Sequence, residues 1–398
     1  MGFATGSITF RRYYICGNHP TSLSDEWFDA IAQRAFGRGG EAAADGIETG
    51  WIVPTHLFDV DLSSPERITV GRFVFLAIRL DRTAPPGAVV RSYRKMEEQA
   101  ALHAGGRTTL SRAERAIAGQ AATERAQSEA RRGMFRRIAA YPVLIDLQDG
   151  VVYLGNLGTT ASDRFLALFA DTFQTTLAPA TAEEVAYRIA DKAGAARSFE
   201  DSVPTHLTPP AADVGDASPA DAAALDKSFL GREFLTWLWY RADSAEGLFE
   251  IGSNPCVTLA MHRMMHLECS YDLTGSDTIR TDAPASSPEA KAALRIGKQL
   301  TKVDLLIGAG RDEWSVTVDG PRWNMSKVIV PSSEEDDALD RLVERFNAIR
   351  RLACTLDDLL ATFLKCRLGP AWRAESGAMR RWADQRKLGE TPARRASA

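Results

Sequence analysis

The stretch that runs from Arg91-Ser-Tyr-Arg-Lys95 to Arg131-Arg-Gly-Met-Phe-Arg-Arg137 decides how this chain is read. Its composition suits helix, yet between Arg107 and Arg132 only Leu110 and Ile117 are bulky and apolar. A helix that is polar all round has no stripe to bury, which argues against an ordinary core helix. Eleven basic residues stand against five acidic ones in residues 91–137, a balance of +6, whereas the whole chain carries −4 and everything outside the stretch therefore −10. Arg125, Arg132 and Arg136 are spaced seven and four apart, which puts them on one helical face with Arg131 and Arg137 beside it. A solvated helix laced with i,i+4 ion pairs is the plain alternative. No acidic residue follows Glu129 before Asp146, however, and an uncompensated arginine stripe is better read as phosphate contact. The candidate DNA contacts of the stretch are Arg94, Lys95, Arg112, Arg115, Arg125, Arg131, Arg132, Arg136 and Arg137.

The rest of the chain is ordinary by comparison. Its 398 residues predict two or three domains, and 45% hydrophobic with 25% charged residues suits a soluble globular protein. No apolar run has membrane-spanning length and no leader pattern is read at the start. Five scattered cysteines argue against a disulfide framework, so a cytoplasmic setting is expected. Outward from the arm, residues 6–16 read as a strand and 26–36 as a helix capped by Ser24, with strands at 47–54 and 71–80, the latter buried on both faces. Pro85-Pro86 ends that strand, a helix spans 89–103, Ala104-Gly-Gly106 turns it, and a second helix runs from Ser111 to Phe135. Strands at 142–147 and 151–154 flank the turn signal Asp149-Gly150, and helices follow at 162–173 and 182–192. Residues 198–227, rich in Pro, Ala and Asp, read as a linker. Beyond it come an aromatic helix at 229–242, strands at 248–251, 256–267 and 278–281, and a helix at 288–298. Strands at 303–307, 315–318 and 327–330 then lead to long helices at 334–368 and 371–387. The expected class is α+β: two α/β units with antiparallel sheets and a projecting basic helical hairpin. The expected domains are 1–197, with the arm at 87–137, and 228–388, followed by a disordered tail at 389–398.

His262-Arg-Met-Met-His266, with Cys256, Glu268 and Cys269 nearby, puts two histidines on one strand face, but no second ligand pair has zinc spacing, so a structural role is the better reading and no metal or other cofactor is expected. A metal-dependent nuclease would need converging carboxylates; Asp272, Asp277 and Asp304 beside Lys302 are candidates, but turns and strand ends hold Asp for backbone reasons. Phosphate-cradling glycine loops and a nucleophilic serine elbow are absent from the sequence, and no catalytic residue is assigned. The aromatic run Phe229-Leu-Gly-Arg-Glu-Phe-Leu-Thr-Trp-Leu-Trp-Tyr240 could stack bases, but large residues at helical spacing more often pack.

The order of motifs also resembles a family. Gly50-Trp51-Ile52-Val53-Pro54, the basic arm with Phe135 near its end, Ile145-Asp146 with Asp149-Gly150, Asp272-Leu273-Thr274, Gly297-Lys298-Gln-Leu-Thr301-Lys302 and a C-terminal helix occur in the order found in RdgC, the bacterial recombination-associated family. The resemblance runs from about Ile8 to Leu368. It implies a ring-shaped homodimer on the nucleoid that holds duplex DNA without sequence preference in a basic central hole and limits the access of the RecA recombinase. No catalysis is implied, although the family has at times carried an exonuclease label. The resemblance gives Phe135 the role of packing into the second subunit, and makes Lys298 and Lys302 channel residues. It also marks a departure: Glu268, Cys269, Ser270 and Tyr271 stand where the family carries basic residues.

Overall fold

The computed structural model describes residues 2–38, 46–205, 207, 226–244, 247–252, 256–269 and 275–385. In chain order it runs β1 (Ile8–Ile15), α1 (Asp25–Gln33), β2 (Ile47–Ile52), β3 (Thr69–Val70), β4 (Phe73–Arg82), α2 (Gly87–Gly105), α3 (Arg112–Arg131), β5 (Arg137–Asp146), β6 (Val151–Leu154), α4 (Thr159–Phe173), β7 (Leu177–Pro179), α5 (Ala182–Lys192) and α6 (Ala196–Glu200). It continues with α7 (Phe229–Ser244), β8 (Leu248–Phe249), β9 (Val257–Cys269), β10 (Ser276–Arg280), α8 (Pro288–Arg295), β11 (Lys298–Ala309), β12 (Asp312–Asp319), β13 (Asn324–Ile329), α9 (Ala338–Arg367) and α10 (Trp372–Asp384). The class is α+β with antiparallel sheets, and no described helix is long and apolar enough to cross a membrane.

Two compact units emerge, and they do not divide at 198–227. One takes Gly17–Asp149 and Gly158–Thr176; the other takes Gly2–Cys16, Gly150–Leu157 and the chain from Leu177 onward. The reason lies in β1, which pairs with β13, β6 and β7 and so draws the first strand into the second unit. The expected linker is packed at both ends: α6 forms, Phe199 and Ser202 are buried, and Lys227 donates to the carbonyls of Glu200 and Ser202 at 2.9 and 2.7 Å. Residues 208–225, Asp272-Leu273-Thr274 and the tail 389–398 lie outside the described residues.

In the first unit β4 lies between β2 and β5, and Phe73 through Asp81 are all buried, as a strand covered on both faces must be. Trp51 of β2 packs under α4, edge to face with Phe165 at 6.3 Å, and its indole donates to Thr172 Oγ1 at 2.8 Å. On the opposite face Phe36, Ile52 and Ala77 cluster. Gly50 is required where it stands, because a Cβ there would come within 2.5 Å of the Phe36 backbone. Ser24 caps α1 through the Trp27 amide as its position predicts.

In the second unit the strand order is β10-β9-β11-β12-β13-β1-β6. The aromatic helix α7 is core, with Phe229, Phe234, Trp237 and Trp239 buried against Trp323, Phe249, Phe363 and Trp382. Packing has therefore claimed the rings that base stacking would need. Long α9 buries one apolar stripe from Phe346 to Leu364. A bidentate ion pair, Arg12 to Asp357 at 2.8 and 2.6 Å, fastens β1 to α9.

Candidate nucleic-acid interface

The arm is an antiparallel pair of helices, each about 30 Å long at 1.5 Å per residue. Helix α2 starts after Pro85-Pro86, whose fixed φ suits a helix entrance, and stops at Gly106. Helix α3 opens on a full capping box: Ser111 Oγ accepts from the Glu114 amide, and Glu114 accepts from the Ser111 amide at 2.9 Å. Those bonds, with the Arg107 guanidinium at 2.5 Å, pull the Glu114 carboxyl down to about 2.

The seam between the helices was not expected. Ala118, Ala122, Ala126 and Ala130, four residues apart, are buried along α3 facing α2. Such a row is a ridge of small residues, so the helix does bury a stripe, but a shallow one that admits close approach. Polar crossings reinforce it. Tyr93 donates to Glu129, Arg125 lies 4.4 Å from the Tyr93 ring centroid, and Arg125 also pairs with Glu129 at 3.6 Å and Glu97 at 3.9 Å.

That geometry corrects the arginine stripe. Helix α3 ends at Arg131 rather than Phe135, because Gly133 takes a φ of 87°, open to glycine and strained for other residues. Arg132 is therefore the C-cap, Phe135 sits half-buried in the turn beside a 65% exposed Met134, and Arg136 leaves the helix altogether. The Arg136 guanidinium turns onto Asp81, which is 1% exposed and also held by Arg79 at 2.8 and 2.7 Å. Burial alone would raise the Asp81 carboxyl, but the hydrogen bonds from Arg79 and Arg136 outweigh it and hold it below the usual carboxylate value. Arg125 and Arg136 are thus internal fasteners, and Arg125, Arg132 and Arg136 share no helix face.

The remaining cations divide cleanly. Arg94 pairs with Glu98 at 2.9 Å. Arg91, Lys95, Arg112, Arg115, Arg131, Arg132 and Arg137 are exposed and have no carboxylate partner among the described residues. The acids of the arm are engaged inside it, Glu124 with Gln120 at 2.9 Å. What the surface offers is a set of free guanidinium and ammonium groups, suited to an anionic polymer.

The carried-over lysines stand in the second unit and are differently placed. Lys298 begins β11 rather than ending a helix, since α8 stops at Arg295, and its Nζ lies 2.7 Å from Asp277. Lys302 meets Asp319 at 3.2 Å, a carboxylate shared with Arg322. Asp304 accepts from Thr317 at 2.5 Å, so Asp277 and Asp304 serve separate partners. On β9 a left-handed Arg263 separates His262 from His266, and His266 meets Thr278 at 2.7 Å and Glu268 at 3.1 Å. Among the described residues no three His, Cys, Asp or Glu side chains are gathered to hold a metal ion.

Sequence reasoning missed Arg79, Asp81 and Arg82. Only the i,i+2 alternation Arg79-Leu-Asp81 inside an apolar strand signals a charge pair on one face. No family model matches the chain, and no curated protein matches it.

Proposed function

We propose that the protein binds double-stranded DNA without sequence preference, as a homodimer closed around the duplex, and thereby modulates a RecA-type recombinase on the nucleoid. One observation carries the reading: the arm engages every acid it has internally and leaves Arg91, Lys95, Arg112, Arg115, Arg131, Arg132 and Arg137 facing solvent. Cations presented to solvent can contact phosphates, and phosphates carry no sequence information. The likeness in motif order to RdgC supports the homodimer and the recombination role, and gives Phe135 the subunit contact. Binding, not hydrolysis, is the activity proposed.

Filter binding of two unrelated duplexes at low salt tests the reading, with labelled DNA incubated in magnesium with and without chelator alongside. Equal affinity for both sequences and no cleavage is the expected result. Absence of binding, or chelator-sensitive cleavage, overturns it. For the dimer, Phe135→Ala is expected to shift sedimentation toward the monomer.

A further inference from the structure

The β4–β5 ladder ends on two arginines. Arg82 stands directly opposite Arg137, both are exposed, and neither has a carboxylate partner among the described residues. Directly opposed residues in an antiparallel pair hold their Cβ atoms about 4.5–5.5 Å apart, where like charges repel. Asp81 does not relieve them. By strand alternation it points to the other face, and there it already holds Arg79 and Arg136. Glu48 of β2 is opposite Asp81, whereas Arg82 is opposite Ile47. Arg131 and Arg132, exposed at the close of α3, enter the short turn that leads into Arg137. Arg82 and Arg137 thus place two positive charges opposite each other on one strand pair.

We infer that Arg82 and Arg137 form a phosphate seat, in which one phosphate group accepts from both guanidiniums while Arg131 and Arg132 flank it. The planar fork of arginine matches phosphate oxygens two at a time, and two forks on opposed strands enclose one group. The inference rests on the DNA reading for the carrier, a backbone phosphodiester, but not for the seat itself. Arg82 thereby becomes a binding residue outside the arm.

Thermal unfolding of the full chain, with and without inorganic phosphate at matched ionic strength, tests the seat in wild type, Arg82→Gln, Arg137→Gln and the charge control Arg115→Gln. Phosphate is expected to raise the Tm of wild type and Arg115→Gln by about 1–2 °C and to leave the two seat variants unmoved. An equal response in all four proteins overturns the seat. Duplex binding then separates the two claims. Each seat variant is expected to bind about 10-fold more weakly, and the double variant no more weakly than either, because one phosphate is shared. Losses that multiply in the double variant overturn the shared seat. A phosphate response confined to proteins with both arginines, with duplex affinity unchanged in the variants, keeps the seat and removes the DNA carrier.

Discussion

Helix α7 buries Phe229, Phe234, Trp237, Leu238 and Trp239, whereas α3, four residues longer, buries only Ala118, Ala122, Ala126 and Ala130. The two helices divide the labour of the fold. Burying a large side chain contributes about 1.5–3 kcal/mol, a methyl group a fraction of that, so α7 is fixed by its core and α3 by close approach and polar crossings. A helix held so lightly keeps most of its surface for charge. A scarcity of large apolar residues in α3 thus marks a different kind of packing, not the lack of it.

Replacing a ring in α7 is expected to have the largest effect. Trp239→Ala, at a fully buried site, should cost about 3–5 kcal/mol in a denaturant-unfolding experiment. A loss below about 1 kcal/mol would undo the claim that α7 is core. Next comes the polar fastener at the base of the arm: Asp81→Asn leaves a buried Arg79 without its charge partner and should cost about 3 kcal/mol by the same measurement. The seam follows. Ala122→Leu must push α2 and α3 apart at about 1–3 kcal/mol, while Ala116→Leu, on the exposed side of the same helix, should stay within about 0.5 kcal/mol. Equal costs for these two would break the seam.

The smallest effects are expected from pH, and they have opposite signs in the two regions. Asp81 is held below its ordinary value, so its contribution is present above the usual carboxylate range and is lost as pH falls through it. Glu233 of α7 is raised by burial, although Arg367 lies 2.6 Å away, so its contribution declines as pH rises through and above that range. Amide protection, taken relative to the intrinsic exchange rate at each pH, should therefore fall between pH 5 and 3 around Asp81 and Arg136 more than along α7. A uniform fall would contradict the local assignment.

Much of this was legible in the sequence, for physical reasons that differ by element. β4 announced itself because a strand covered on both faces needs consecutive apolar residues, and α3 announced its start because Ser111 is a good N-cap residue, which is local chemistry. The end of α3 was misread, since Gly133 breaks the helix while Met134, Phe135 and Arg136 remain helix-compatible residues. The alanine seam escaped because alanine is the best helix former on any face, so only its i,i+4 recurrence distinguishes burial from propensity. The roles of Arg125 and Arg136 escaped because their partners, Tyr93 and Glu97 on α2 and Asp81 on β4, are far away in sequence and near only after folding. Arg82 escaped for the same reason, as strand register alone sets it against Arg137.

The central claim, that the unpartnered cations of the arm bind the DNA backbone, is tested most directly by the salt dependence of duplex affinity. Wild type should be compared with a variant carrying Arg91, Lys95, Arg112 and Arg115 all replaced by Gln. The logarithm of the binding constant should fall linearly with the logarithm of salt concentration. The slope should be shallower in the variant by about 3–4, or ~0.9 per phosphate contact removed. An unchanged slope and affinity in the variant would contradict the account.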